Sequence, residues 1–237
     1  MQVIAFDIVN GVYAFEFSEL DTSFHSHPAI EILFSKSGSI TLSTETQEHH
    51  DLSFAIIDSN LKHKVSTGSG AVNAIMMEHR DVGVKRRLTS MGYKLQEGLF
   101  VQKGNTGVAE NFEAYYQELK SVENESGYDE RVQQVISHLA KNDLEYGAMM
   151  NELTEVTSLS ESRLSHLFKQ NVGISLKKYL LWCKLRATIG QFLNQKENLF
   201  AALIQSGFYD QPHFSKAFKT MLGIQPSRAY NSRTVQF

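Results

Sequence analysis

A repeat of 50 residues in the second half of the sequence restricts the fold of this chain more than any other feature. Six identical residues recur at this offset: Leu153 and Leu203, Ser165 and Ser215, Phe168 and Phe218, Lys169 and Lys219, Gly173 and Gly223, and Ile174 and Ile224. Self-similarity at a fixed period is typical of a supersecondary unit that occurs more than once. We therefore predict that this half folds as two copies of one helical unit.

Each copy has the pattern of a short helix with a defined start and end. Ser160 and Asp210 are equivalent and are good N-cap residues, because a side-chain oxygen can accept from the first free helix N–H groups. Apolar residues follow at four and eight positions and glycine at thirteen, which predicts one buried stripe and a glycine stop. Amphipathic segments at Met149–Thr157 and Asn198–Ser206 precede the two caps. A helix, a tight turn and a capped helix form a helix-turn-helix unit, whose second helix can enter the major groove of DNA.

Residues 175–193 lie between the copies and contain no proline, so we predict that they form one continuous helix. At 1.5 Å per residue this helix would span roughly 28 Å, close to the ~34 Å between successive major-groove faces. The pattern predicts one chain that reads two adjacent groove segments. The alternative is a helical solenoid, but solenoids usually need three or more units.

Charge differs strongly between the two halves. Residues 160–237 contain 11 Lys and Arg against 3 Asp and Glu, whereas residues 1–128 contain 10 against 17. Such asymmetry favours a basic module for a polyanion joined to an acidic module. Charge alone leaves chance clustering as an equal alternative, and the repeat favours the first interpretation.

The front of the chain has a different pattern of predicted secondary structure. Up to about Gln102, segments such as Val12–Phe17 and Ile40–Thr44 predict short strands, and the front module is expected to be all-β. A helical period begins at Val108–Lys120 and continues in Asp129–Lys141. The polar stretch Ser121–Gly127 between these helices is the best linker candidate.

The front module also contains a His-x-His pattern. His25, His27 and Glu31 share parity, so on a regular strand they would face one side, and His63 follows an apolar strand. Three histidines and a carboxylate can ligate Fe, Mn, Ni or Zn. The spacing from His25 through Gly38 resembles the first cupin motif, with His63 in the position of the second motif's histidine. The resemblance is incomplete, because Glu19, Ser59-Asn60-Leu61 and Thr67 replace other motif residues.

Several protein classes are excluded by composition. The single cysteine, Cys183, excludes an intramolecular disulfide framework and a multi-cysteine metal site. No apolar run approaches the ~20 residues of a membrane span, and the first residues lack a basic export signal. A protein of the reducing cytoplasm is the expectation.

The second copy carries a specific family resemblance. Residues 207–219, GFYDQPHFSKAFK, followed by Gly223-Ile224-Gln225-Pro226-Ser227, resemble the signature of the AraC/XylS family of transcriptional regulators. Ser160–Leu164, Phe168-Lys169 and Gly173-Ile174-Ser175 are similar to that family's first helix-turn-helix unit. The resemblance covers about residues 129–231. It implies recognition helices at Glu161–Gln170 and Gln211–Met221, with Leu164, Leu167, Phe168, Phe214, Ala217 and Phe218 buried.

The same resemblance implies a set of DNA-binding side chains: Ser162, Arg163, Ser165, His166, Lys169, Gln211, Pro212, His213, Ser215, Lys216 and Lys219. Chemically, Arg163 and Lys216 can donate to guanine, and Gln211 suits adenine. Lys169 and Lys219, with Lys177 and Lys178, are better suited to phosphate.

For the front module, the resemblance implies a cupin-like barrel that senses a small molecule, usually without a metal. The candidate effector-binding residues are Tyr13, Phe15, His25, His27, Glu31 and His63. We expect no metal, no cofactor and no catalytic residue, and the alternative is a metal-dependent cupin enzyme with an accessory helical domain. The apolar stripe of Val108–Lys120 would either cover the barrel or form a dimer interface.

The predicted fold class is α+β and multidomain: a cupin-like β-barrel at residues 1–104, a helix and linker at 105–128, and an all-α domain with two helix-turn-helix units joined by a long helix at 129–237. The expected partners are double-stranded DNA, a small-molecule effector and a second copy of the chain, with RNA polymerase as a further candidate.

Overall fold

The computed structural model describes residues 1–68, 70–78, 82–104, 111–122, 127–140, 146–195 and 198–229. The chain divides into two compact units, one formed by residues 1–125 with 218–237 and the other by residues 126–217. Within the described ranges, no helix combines the length and the apolar character needed to cross a bilayer.

Eight strands form one antiparallel sheet in the first unit. Their bounds are Gln2–Asp7 (β1), Val12–Phe17 (β2), Ala29–Ser35 (β3), Ile40–Thr44 (β4), Glu48–Ile57 (β5), His63–Ser66 (β6), Val72–Glu78 (β7) and Leu99–Lys103 (β8). The strand order is β1-β2-β7-β3-β5-β4-β6, and β8 pairs with β5. The predicted strands Val12–Phe17 and Ile40–Thr44 are confirmed at both ends.

Nine helices are described in the chain. Their bounds are Val82–Ser90 (α1), Phe112–Lys120 (α2), Glu130–Leu139 (α3), Tyr146–Thr157 (α4), Glu161–Val172 (α5), Leu176–Gln195 (α6), Leu199–Gln205 (α7), Gln211–Leu222 (α8) and Pro226–Ala229 (α9). The predicted connecting helix is α6, and the two predicted recognition helices are α5 and α8.

The longest strand of the sheet, β5, contains a bulge. In the pairing of β4 with β5, Ile40 lies opposite Leu52 and Leu42 opposite His49, so β5 has one extra residue at this point. Asp51, within the bulge, has a φ of 57°, a left-handed conformation that is uncommon outside glycine. A bulge of this kind bends a strand and increases its twist. The predicted cupin-like barrel is therefore present as a curled half-barrel.

One face of the half-barrel is covered by α1 and α2. Every second residue along β2, β3, β5 and β7 lies on the sheet side of this core, including Ile32 and Phe54. Phe112, Tyr116 and Leu119 of α2 are buried in the same core. The apolar stripe of α2 therefore covers the sheet, which was one of its two predicted roles.

Helix α1 contradicts the expectation of an all-β front module. Its apolar contacts are made by Val84 and Leu88, which lie four residues apart and are 5% and 1% exposed. A segment of nine residues has little helical signal of its own, because short helices depend on tertiary packing.

The helical unit has a separate apolar core. Leu164 and Phe168 of α5 are fully buried there, together with residues of α3, α4 and α6. Cys183 of α6 is 7% exposed and lies in this core. Asp129 caps α3 by accepting a hydrogen bond from the Arg131 backbone N–H at 2.9 Å.

Parts of three predicted segments lie outside the described residues. These are residues 108–110 of the predicted helix, 123–126 of the predicted linker and 141 of the predicted Asp129–Lys141 helix. The domain boundaries proposed at residues 104 and 128 stay predictions.

Candidate DNA-binding faces and a buried histidine cluster

The first candidate recognition helix, α5, is held by its apolar side. Leu164, Phe168 and Val172 are buried, whereas the predicted core residue Leu167 is half-buried. Gly173 ends the helix with a φ of 82°, as the pattern predicts. Ser160 occupies the N-cap position, but its side chain makes no capping hydrogen bond in the described structure, so that part of the prediction is wrong.

The opposite side of α5 forms what we call the first recognition face. Ser162, Arg163, His166 and Lys169 are exposed, and Ser165 is half-buried. The face thus has two cationic side chains, one imidazole and two hydroxyls available to an external partner.

The second candidate recognition helix, α8, begins with a complete cap. The Asp210 carboxylate accepts a hydrogen bond from the His213 backbone N–H at 2.7 Å, as the sequence predicts. Phe214, Ala217 and Phe218 are buried, which is also as predicted. Gly223 ends the helix with a φ of 72°.

The second recognition face consists of the outward side of α8. Gln211, Pro212, Lys216 and Lys219 are exposed, and His213 and Ser215 are half-buried. The His213 ring stacks on Tyr209 with ring centroids 5.6 Å apart, and its other neighbour is Phe208 at 5.1 Å. Tyr209, which is 75% exposed, was not among the predicted DNA-binding residues; an aromatic residue four positions before a histidine was the available signal.

The turn before α8 is fixed by side chains of the connecting helix. Lys184 Nζ donates to the carbonyl of Gly207 at 2.9 Å, and the buried Ser206 hydroxyl donates to Gln191 Oε1 at 3.2 Å. Gly207 has a φ of 80°, and a Cβ there would lie 3.0 Å from Lys184 Nζ. The turn therefore requires glycine for its backbone conformation.

We expect Gly207→Ala to lower the free energy of unfolding by about 1–2 kcal/mol, because an L-residue is strained in the left-handed region. In the first helix-turn-helix unit, Ser158 holds a φ of 52° without being glycine. Ser158→Gly is the matched variant and should stabilise the protein by less than about 1 kcal/mol. Guanidinium denaturation measures both effects, and equal stabilities of Gly207→Ala and the unmodified protein would contradict this account.

The six candidate effector residues of the front module are all buried. Glu31 and Tyr13 share one sheet face, since both lie opposite Met76 in β7, and Phe15 is two residues beyond Tyr13 on the same face. The Tyr13 hydroxyl donates to the Glu78 carboxylate. The exposed fractions of the six residues range from 0% for His63 to 7% for Phe15 and Glu31.

Four of these residues meet and form what we call the histidine cluster: His25, His27, Glu31 and His63. Their candidate ligand atoms all lie within 4.8 Å of one another. Glu31 Oε2 is 3.0 Å from His63 Nε2 and 3.4 Å from His27 Nε2. Parity predicted that residues 25, 27 and 31 would face one side, and their side chains do lie together, although His25 and His27 precede β3.

Local backbone structure positions the histidine cluster. Pro28 has no N–H to donate, and β3 begins immediately after it. His25 lies outside the named strands, but its backbone exchanges two hydrogen bonds with His63, both of 2.9 Å. The His27 carbonyl accepts from the Asn60 N–H at 2.8 Å.

Burial controls the charge of the cluster. Burial, with the neighbouring His63 and His27 rings, lowers the pKa of His25 to about 3. Burial also lowers the pKa of His27. Burial alone would raise the pKa of Glu31, but the adjacent His27 and His63 outweigh it and hold this pKa well below its usual range. At neutral pH the cluster therefore combines an ionised carboxylate with neutral His25 and His27 rings.

The duplicated unit defines the class of protein: a double helix-turn-helix protein. Residues 153–232 match a family model described as "Helix-turn-helix domain". The Msm operon regulatory protein of Streptococcus mutans is 33% identical over 88 residues, covering 35% of this chain and 31% of that protein. The arabinose operon regulatory protein of Escherichia coli is 34% identical over 101 residues, covering 41% and 32%. The chain spans about a third of the length of these relatives. Together the matches confirm its resemblance to AraC/XylS regulators.

The fold is also found in solved structures of ToxT. A structure of ToxT from Vibrio cholerae aligns with a TM-score of 0.55 and 14% identity, covering 92% of this chain and 96% of that one. A second ToxT structure, bound to (E)-4-(8-methylnaphthalen-1-yl)but-3-enoic acid, gives a TM-score of 0.55 and 15% identity. At this identity the likeness establishes the fold.

Proposed function

We propose that this protein is a sequence-specific DNA-binding transcriptional regulator of the AraC type. The observation that carries the proposal is the duplicated helix, in α5 and in α8, with its apolar side buried and a polar, basic side exposed. Two such helices can enter two major-groove segments. The 20-residue helix α6 between the units has a length of about 30 Å, near the ~34 Å repeat of the groove.

The two recognition faces differ in the chemistry they offer to DNA. Lys216 and Arg163 are exposed and long enough to donate to guanine, and Gln211 can pair with adenine. Ser162, Ser165, His166, Pro212 and Ser215 are the other proposed base contacts. Lys169 and Lys219 are proposed to bind phosphate, together with Lys177 and Lys178. Burial lowers the pKa of Lys178, which makes it the least favourable cation of this group.

The front unit is proposed to sense a small molecule or to hold a dimer. ToxT, whose fold this chain shares, has been solved with an unsaturated fatty acid, which supports an organic ligand for this kind of front unit. Dimerisation would place the helix-turn-helix units of two chains on repeated DNA half-sites. A homodimer, contact with RNA polymerase and a cytoplasmic location belong to the same proposal.

A regulator is favoured over the alternative of a metal-dependent enzyme. The curated relatives reported above are operon regulatory proteins. The matched helix-turn-helix family model spans residues 153–232, which include both candidate recognition helices, and this supports a DNA-binding function.

Selection of bound fragments from genomic DNA would first supply a cognate site. On that site we expect Lys216→Ala to weaken binding by about 5- to 150-fold, because one specific base contact is worth roughly 1–3 kcal/mol. On a scrambled duplex of equal length the loss should be much smaller. Titration by fluorescence anisotropy at fixed salt measures both affinities.

The matched control is Lys94→Ala, which removes an exposed lysine of the front unit. Its affinity for both duplexes should equal that of the unmodified protein. Equal losses for Lys216→Ala on cognate and scrambled DNA would show that Lys216 binds phosphate only. Failure of the unmodified protein to enrich any fragment would overturn the proposed function.

A further inference from the structure

The histidine cluster has the donor set and the supporting hydrogen bonds of a metal site. We propose that His25, His27, Glu31 and His63 together bind one divalent transition-metal ion. The proposal departs from the expectation that these residues hold no metal. It concerns the half-barrel alone and does not depend on DNA binding.

The separation of the candidate ligand atoms suits a single ion. Zinc and similar ions bind imidazole nitrogen and carboxylate oxygen at about 2.0–2.2 Å, so donors on opposite sides of one ion are at most about 4.4 Å apart. All four candidate donors lie within 4.8 Å of one another, and two of the separations are 3.0 and 3.4 Å. These separations are close to those of ligands that share one ion.

The outer nitrogen of every histidine in the cluster is already used. Nδ1 lies 2.9 Å from the Ser23 carbonyl in His25, 3.0 Å from the Ala29 carbonyl in His27, and 2.9 Å from the Leu61 carbonyl in His63. A carbonyl oxygen only accepts, so each Nδ1 must carry the proton and donate. A neutral ring in this tautomer has an unprotonated Nε2. Metal-binding histidines are oriented by this same kind of hydrogen bond.

When the rings are neutral in this tautomer, the inner atoms of the cluster are all acceptors. Nε2 of His27 and Nε2 of His63 lie 3.4 and 3.0 Å from Glu31 Oε2, and a carboxylate oxygen also only accepts. Lone pairs that converge in a buried site repel one another unless a proton or a metal ion lies between them. A divalent cation uses all four donors.

The cluster is also organised before any ion binds. The backbones of His25 and His63 are joined by reciprocal hydrogen bonds, and the His27 carbonyl is bonded to Asn60. The four residues are 0% to 7% exposed, so bulk water does not compete for the donors. The mixed set of three imidazoles and one carboxylate suits Fe²⁺, Mn²⁺, Ni²⁺, Co²⁺ or Zn²⁺ better than Ca²⁺ or Mg²⁺, which prefer oxygen ligands.

The test uses the full chain, purified with a tag that contains no histidine. We expect elemental analysis to find about one transition-metal ion per chain. After chelator treatment, titration with Co²⁺ should produce visible d–d absorption that saturates at one equivalent, and the melting temperature should rise with bound metal. The His25→Ala/His27→Ala variant should lose at least about 100-fold in Co²⁺ affinity, since two of four ligands are removed.

The control is His49→Ala/His50→Ala, which removes a second histidine pair of the half-barrel outside the cluster. It should bind Co²⁺ as the unmodified protein does. Glu31→Gln is a second cluster variant, and circular dichroism establishes which variants are folded. Absence of bound metal in the unmodified protein, combined with no saturable uptake of Co²⁺, Fe²⁺, Mn²⁺, Ni²⁺ or Zn²⁺, would overturn the proposal. So would cluster variants that are folded and retain full affinity.

Discussion

Phe168→Ala is expected to lower the free energy of unfolding of the helical unit by about 3–5 kcal/mol, the usual cost of emptying a fully buried aromatic site. Phe168 is 0% exposed, and its ring lies 5.3 Å from that of Tyr179, centroid to centroid. Its loss removes apolar burial and leaves a cavity between α5 and α6. The total stability of a domain is only 5–15 kcal/mol. Guanidinium denaturation followed by fluorescence of Trp182, the single tryptophan of the chain, would measure this loss.

The adjacent residue supplies the control for this prediction. Lys169 is exposed, and Lys169→Ala should change the free energy of unfolding by less than about 0.5 kcal/mol. Equal stabilities of Phe168→Ala and Lys169→Ala would mean that α5 is not anchored through its apolar stripe.

DNA affinity is expected to fall steeply with salt. If Lys169, Lys177, Lys178 and Lys219 each contact one phosphate, the slope of log affinity against log salt is about −3.6 per chain. The affinity would then fall about 150-fold between 50 and 200 mM salt, and more if a dimer binds. Titrations at a series of salt concentrations measure this slope.

Single-lysine variants show which side chains produce that slope. Lys219→Ala should make it shallower by about 1, because one fewer counterion is released. Lys94→Ala should leave it unchanged. A slope near zero for the unmodified protein would remove phosphate contact as a source of its affinity.

The helical half was predictable because its signals are local. Asp210, Gly173 and Gly223 specify where helices begin or end, and the apolar stripe specifies which face is buried. Ser160 shows the limit of such reasoning, because a residue suited to capping occupies the cap position without forming the bond. A side-chain hydrogen bond depends on rotamers as well as on residue type.

The front unit was predictable in its strands but not in its helix α1. Alternation and β-branched residues predict the bounds of β2 and β4 correctly, although the first four residues of β2 are all buried and β4 alone begins with an alternation of buried and half-buried residues. Among the described side chains of α1, Val84 and Leu88 are the ones buried in the core beneath the helix, and a helix this short depends on such packing.

The sequence by itself determined that the chain has a duplicated helix-turn-helix unit and that His25, His27 and Glu31 share one side. Caps, glycine stops and residue parity act over a few positions, so they can be interpreted without knowledge of the fold. Only the tertiary structure decided that the carbonyls of Ser23, Ala29 and Leu61 fix the outer nitrogens of the three rings. Those contacts depend on the curl of the sheet and on backbone carbonyls, which are the same in every residue and therefore carry no sequence signal.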